Sequence, residues 1–259
     1  MTTGIEQDAL RKYSKSEVYN ECTITRSLEV STSDWGSRLL AIKAETLRAR
    51  VRGRRVLDIG CANGRHLAEL ADSIARGVGV DFAPRFIEAA KRDFASLTNL
   101  SFFVADARDI PLEDASVDIA YSFATLYYID DIENAYKEIA RLLVPGGVAV
   151  LELGNANSLA TRIARNPQNA HLAQHSKRVI GDHLSALSGA GLGVKSHRAF
   201  QILPMWGSIS GLLSWTRHPL LDALMNKMVF GRMIDEWVSN LPGLKGLAFR
   251  HLIVVEKLD

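Results

Sequence analysis

The sequence predicts a doubly wound α/β domain of mainly parallel strands, with an N-terminal helical cap and a helical insertion before its last strand. Short apolar runs at Val56–Ile59, Gly77–Val80 and Leu100–Val104 alternate with stretches whose apolar residues recur at helical spacing, the pattern of βαβ units. Each run meets an acid at or near its carboxyl end, in Asp58, Asp81 and Asp106. Behind the first run stands a tight glycine turn, Gly60-Cys61-Ala62-Asn63-Gly64, that leads into a helix start. Open parallel sheets bind ligands in the crevice at such strand ends.

At 259 residues the chain fits one large domain, or a core with an appended lid. It divides into an arm and cap helix (1–52), a core (53–203), an insertion (204–243) and a closing strand (244–259). Apolar residues at 47% and charged residues at 23% are ordinary for a globular protein, and a net charge of +2 favours neither nucleic acid nor an acidic partner. The two cysteines, Cys22 and Cys61, lack the spacing of a zinc site and fit a reducing compartment. Cys61 reads as a small filler of the glycine turn rather than a reactive thiol. Met1–Ala9 has no apolar signal core, and no run of about 18 apolar residues would span a bilayer, so a cytoplasmic protein is expected.

Ser31-Thr32-Ser33-Asp34 offers helix N-caps, and Leu40, Ala44, Leu47 and Val51 predict an amphipathic helix over 35–52. It ends among Arg48, Arg50, Arg52, Arg54 and Arg55. With no aromatics interleaved, these read as a solvated basic helix end rather than a nucleic-acid patch. Further helices are expected over 65–74, 84–95, 132–143 and 179–190, and strands at 77–81, 100–104, 116–122, 194–203 and 247–255. A Pro145-Gly146-Gly147 turn feeds a fifth strand reaching Leu153. The last two strands should form an antiparallel pair. Asp81 lies 21 residues past Gly60, the spacing at which an acid on the second strand accepts ribose hydroxyls. Its other reading is N-cap of the helix that Pro84 opens. Asp130 or Asp131 reads as the cap of the next helix, although the paired acids could be mistaken for a magnesium site. The insertion carries Trp206, Leu213, Trp215, Leu224, Met225, Phe230 and Trp237, spaced as two short amphipathic helices divided near Pro219 or Gly231. The cluster is a lid over a hydrophobic substrate, a dimer face or a membrane-surface contact, preferred in that order.

The glycine turn separates two cofactor classes. A nicotinamide fingerprint needs Gly-x-Gly-x-x-Gly, whose second glycine clears room for a pyrophosphate. Here the order is Asp58-x-Gly60-x-Ala62-x-Gly64. An acid two residues before the first glycine suits a ligand with an amino group or sulfonium better than one with phosphates. The stretch resembles motif I of the class I S-adenosylmethionine-dependent methyltransferases, usually Asp-x-Gly-x-Gly-x-Gly, from which Ala62 departs. The phrases ADARDIPLEDASVDIAYS (105–122) and RLLVPGGVAVLEL (141–153) are also similar to that family. The resemblance covers roughly residues 50–155.

It implies a seven-stranded Rossmann-like sheet and S-adenosyl-L-methionine as cofactor. It further implies that Asp58, Gly60, Cys61, Ala62 and Gly64 form the cofactor turn, that Asp106 accepts from the adenine amine, and that the Ala107 backbone N–H bonds the ring. Phe82 would flank the adenine, and Ser122 and Phe123 would complete the cofactor-binding set with Asp81. The segment before the core often closes over the cofactor in that family, which makes Tyr19 and Arg26 contacts to consider beside their reading as surface residues of a loose arm. Tyr127 and Tyr128 would face the methyl-transfer crevice, or else pack beneath the next helix.

Methyl transfer from a sulfonium is an in-line displacement with a neutral leaving group, so alignment supplies most of the acceleration. A hydroxyl acceptor also needs a proton acceptor nearby. His171, His175, His183 and His218 are the histidines available, and we take Tyr127, Tyr128 and His183 as the catalytic candidates. His171-x-x-x-His175 lacks the glutamate and third ligand of a zinc site, and no metal is expected. No Gly-x-Ser-x-Gly elbow or phosphate loop occurs. The expected activity is methylation of oxygen or nitrogen on a small molecule: a metabolite, natural product or lipid-linked sugar, partly apolar, with a homodimer left open. Two rivals stand beside it: an NAD(P)-dependent oxidoreductase, and a non-catalytic S-adenosylmethionine-binding partner subunit.

Overall fold

In a computed structural model of the protein, residues 35–164, 177–203 and 218–258 are described. Leu40, Ala44, Leu47 and Val51 lie buried along helix α1 (Trp35–Val51), as their spacing predicts. The chain then alternates between strand and helix: β1 (Arg55–Ile59), α2 (Arg65–Ala68), β2 (Arg76–Asp81), α3 (Pro84–Asp93), β3 (Leu100–Val104), β4 (Val117–Ser122), α4 (Ile132–Leu142) and β5 (Leu143–Gly154). Beyond these come α5 (Leu159–Ala164), α6 (Ile180–Gly189), β6 (Leu192–Phe200), α7 (Pro219–Met225), a hairpin of β7 (Met228–Val229) and β8 (Arg232–Met233), α8 (Ile234–Ser239) and β9 (Arg250–Lys257).

Seven strands form one sheet in the order β3-β2-β1-β4-β5-β9-β6. The first five run parallel, and β9 lies antiparallel between β5 and β6. The strand order reverses between β1 and β4, which leaves a crevice at their carboxyl ends. Because strand side chains alternate faces, Val56 and Tyr121 join one core with Trp35, Leu47, Leu67 and Ile87. Leu57, Ile59 and Ala149 join the other, with Tyr136 and Ile139 of α4 and Leu187 of α6.

Three elements differ from expectation. The helix expected over 65–74 is one turn of α2 followed by a 3-10 turn, Ala71–Ser73. Bonds from Leu70 N to Leu67 O and from Ser73 N to Leu70 O tighten the chain and keep Leu67 and Leu70 fully buried. The Pro145-Gly146-Gly147 turn bulges out within β5. Val117 pairs with Leu143 and Ile119 with Val148, so the residues between are excluded from the ladder. Pro219 opens α7, as a proline at the first helical position does, whereas Gly231 sits in the β7–β8 turn. The apolar insertion therefore holds a hairpin between its helices. Residues 204–217 of it, with Trp206, Leu213 and Trp215, lie outside the described residues.

Candidate cofactor and active site

The glycine turn leaves β1 with Gly60 at φ +79°, Ala62 at +46° and Gly64 at +74°. Space as well as angle requires glycine here. A Cβ on Gly60 would lie 2.2 Å from Thr125 Oγ1, and one on Gly64 2.5 Å from the Phe102 ring. The amides of Gly60 and Cys61 donate to Val80 O at 2.8 and 3.0 Å, tying the turn to β2. Asp81, at the tip of β2, accepts from Ala62 N and Ala83 N, both at 2.9 Å. It thus holds the turn and the entry to α3, although Ala83 and not Asp81 is the N-cap. Cys61 is buried, and burial pushes its thiol well above the ordinary range. An unreactive filler is what that environment permits.

Asp58 and Tyr121 stand directly opposite each other on β1 and β4. The Tyr121 hydroxyl donates to Asp58 Oδ2 at 2.7 Å. Burial nevertheless pushes Asp58 up to about 7, with the nearby Asp81 adding to it. Ser122 Oγ donates to Ile59 O at 2.8 Å. Phe123 packs against Tyr121, its ring 5.1 Å from Lys43 Nζ. At the end of β3, Asp106 is exposed and paired with Arg108 at 2.6 Å. Partial burial works to raise its pKa, but the guanidinium holds it below the usual carboxylate range. Ala107 is half-buried against the second core, and Phe82 is half-buried beside Asp81. Of the three acids at or near strand ends, Asp58 and Asp81 are buried and Asp106 is exposed.

On the far side of β4 the chain makes a 3-10 turn, Leu126–Tyr128. Tyr127 is buried and its ring lies 4.7 Å from that of the half-buried Tyr128. Tyr127 and His183 line one small cavity with Leu126, Ile129, Asp130, Lys177 and Arg178. His183 Nδ1 is 2.7 Å from the Tyr136 hydroxyl, and burial pushes the imidazole down to about 4. Asp131 caps α4 by position only, and Asp130 pairs with Lys177 at 2.6 Å. His218 is an N-cap, its ring accepting from Leu220 N at 3.3 Å. Among the described residues no group of three or more His, Cys, Asp or Glu could hold a metal. No described helix is long and apolar enough to cross a membrane. Tyr19, Arg26, Cys22, His171 and His175 lie outside the described residues.

Sequence reasoning missed a buried ionic cluster behind Tyr127. Glu152 of β5 accepts from Lys43 Nζ of α1 at 2.8 Å and from Ala124 N at 3.0 Å. Its other oxygen accepts from Arg250 of β9, whose guanidinium also bonds the Tyr127 hydroxyl. Burial would raise Glu152, but the two cations hold it at about 2. A second buried acid, Asp235 of α8, accepts from Trp35 Nε1 at 3.0 Å and from Gln201 N at 2.7 Å. It ties the insertion to the cap helix.

Residues 57–151 match the family model described as a methyltransferase domain. The O-methyltransferase rstn1 of Aspergillus nomiae is 34% identical over 138 residues, 51% of this chain and 57% of its own length. The chain thus spans little more than half of that curated relative. Geranyl diphosphate C-methyltransferase from Streptomyces coelicolor, solved with Mg2+, geranyl diphosphate and S-adenosyl-L-homocysteine, superposes with a TM-score of 0.64. It is 16% identical, with 99% of this chain and 98% of that one covered. The [4+2]-cyclase SpnF superposes at 0.65 with 16% identity over 99% and 98% of the two chains. At that identity the two structures show a shared fold.

Proposed function

From a chain whose residues 57–151 are a class I, S-adenosylmethionine-dependent methyltransferase domain, we propose that the whole protein methylates oxygen or nitrogen of a partly apolar small molecule. One observation carries the reading: buried carboxylates, Asp58 and Asp81, flank the glycine turn at neighbouring strand ends. Such an acceptor-rich crevice suits a ligand with a cationic amino acid moiety and ribose hydroxyls. Ala62, where a nicotinamide fingerprint has the glycine that clears room for a pyrophosphate, speaks against the nicotinamide rival.

In this reading Asp81 takes the ribose, Asp58 faces the cationic end, and Gly60, Cys61, Ala62 and Gly64 supply close backbone approach. Asp106, Ala107 and Phe82 take the adenine, and Ser122 and Phe123 close the floor. When bound, S-adenosyl-L-methionine supplies an electrophilic methyl group with a neutral thioether as leaving group. The chain's part is then to align the acceptor and exclude water. Tyr127 and Tyr128 frame the acceptor side. A base with a pKa near 4 removes a proton poorly at neutral pH, so we assign His183 the role of a polar, neutral wall of the cavity. The exposed Leu220, Leu224 and Phe230 of the insertion favour an apolar acceptor.

Isothermal titration of the protein with S-adenosylmethionine, S-adenosylhomocysteine and NADH tests this, beside an Asp81→Ala variant. Binding of both adenosyl ligands, weakened in the variant, is expected. Binding of NADH alone would replace the proposal with the oxidoreductase. Binding of the adenosyl ligands without turnover of any acceptor, but with gain of activity in a partner, would support the non-catalytic subunit.

A further inference from the structure

Glu152, Lys43 and Arg250 come from β5, α1 and β9, and each is at most 8% exposed. Their spacing along the chain gives no local reason for them to meet. Buried ion pairs rarely stabilise a fold more than apolar side chains of the same size would. Their geometry is what apolar residues could not copy. Glu152 reaches three elements at once: the cap helix through Lys43, the last strand through Arg250, and the backbone of the loop after β4 through Ala124 N.

That loop touches the glycine turn at one end and the small cavity at the other. At one end Ser122 bonds Ile59 O, and the Thr125 side chain lies across Gly60 of the cofactor turn. At the other end Tyr127 bonds Arg250 and lines the cavity with His183. Between them Ala124 sits at φ +58°, a left-handed angle that a residue with a Cβ adopts only where its surroundings impose it. The Ala124 N–H donates to the Glu152 carboxylate. Lys43, lying over the Phe123 ring, holds the same stretch from above.

We infer that Glu152 is a positioning residue, gripped by Lys43 and Arg250, that sets the Phe123–Tyr127 loop against the glycine turn and thereby couples the cap helix to both cofactor and acceptor sides. The role rests on the methyltransferase reading for its chemistry, but its structural half is independent of it. Glu152 acts only through the loop. Loss of the Ala124 bond frees Thr125 over Gly60 and Tyr127 at the cavity together.

Hydrogen exchange of the full chain, read by mass spectrometry, separates this role from plain stabilisation. Glu152→Gln, Lys43→Met and Lys43→Arg are compared with the parent protein. In Lys43→Met and Glu152→Gln, exchange in the peptide over 122–128 should quicken by about tenfold while β9 stays protected. Affinity for S-adenosylhomocysteine, by titration, should fall by about fivefold in parallel. Lys43→Arg, which keeps the charge, should restore both. Even quickening across β5, β9 and the loop, or unchanged loop exchange and affinity, would overturn the inference. If Glu152→Gln does not fold, Lys43→Met decides, since it keeps the Glu152–Arg250 pair. Should the parent protein bind no S-adenosylhomocysteine, the methyltransferase reading fails, while selective loop exchange still reports on positioning.

Discussion

Ala62 sits where the family motif has glycine, and it holds a left-handed φ of +46°. For an L-residue that angle costs about 1–2 kcal/mol, while glycine would return part of the gain as extra unfolded-chain entropy. Ala62→Gly is therefore expected to raise stability by about 0.5–1 kcal/mol in urea unfolding, with S-adenosylhomocysteine affinity unchanged. A loss of stability would mean that the Ala62 methyl packs against something the turn needs. At this scale the glycine turn was legible, because a motif concentrates it. Asp58, Gly60 and Gly64 lie within seven residues, and the two glycines take the positive φ that such a turn requires. The ionic cluster was not legible. Lys43 and Arg250 stand 109 and 98 residues from Glu152. In one dimension each looks like an ordinary charged residue of a helix or strand, and only the sheet order brings them together.

At the level of elements, helical periodicity located α3 and α4 closely because each buries an apolar stripe, and it placed α1 and α6 to within a residue or so of their ends. It failed in the insertion, where Met228 and Val229 pair with Met233 and Arg232 across a two-residue turn. Both turn residues, Phe230 and Gly231, take positive φ, at +48° and +74°, as a type I′ hairpin requires. Asparagine or glycine would have signalled that turn; phenylalanine does not. Phe230 is also 94% exposed, so folding gains little from its ring. Phe230→Asn should relieve strain and raise stability by about 0.5–1 kcal/mol, measured as the shift of the urea midpoint at constant m-value. An unchanged or lower midpoint would show that the ring stabilises the hairpin through contacts its exposure conceals.

Across the whole molecule, buried histidines and a buried carboxylate set opposing pH dependences. Burial lowers His183 and His197 to about 4 and His251 to about 3, the last two 2.8 Å apart across neighbouring strands. Each is neutral in the native state and protonates near 6.5 once unfolded. The stability they contribute is therefore complete above pH 6.5 and drains away as pH falls towards 4. For the fully buried His183 alone, this amounts to roughly 3 kcal/mol at pH 4. Asp58 works in the opposite sense. Its folded value of about 7 lies above the unfolded 3.8, so its native state is penalised above pH 7 and relieved as pH falls towards 3.8. Between pH 7 and 5, His183 loses about 2 kcal/mol and Asp58 regains a similar amount. His197 and His251 add to the loss, while Asp81 and Asp235, whose carboxyls burial also raises, add to the relief. Urea unfolding of the parent and one variant at pH 8, 6.5, 5 and 4 isolates the Asp58 contribution. Asp58→Asn keeps a partner for the Tyr121 hydroxyl and removes the ionisation, so it should be more stable than the parent at pH 8 and converge with it near pH 4. Convergence of the two proteins at pH 8 instead would show that Asp58 ionises freely.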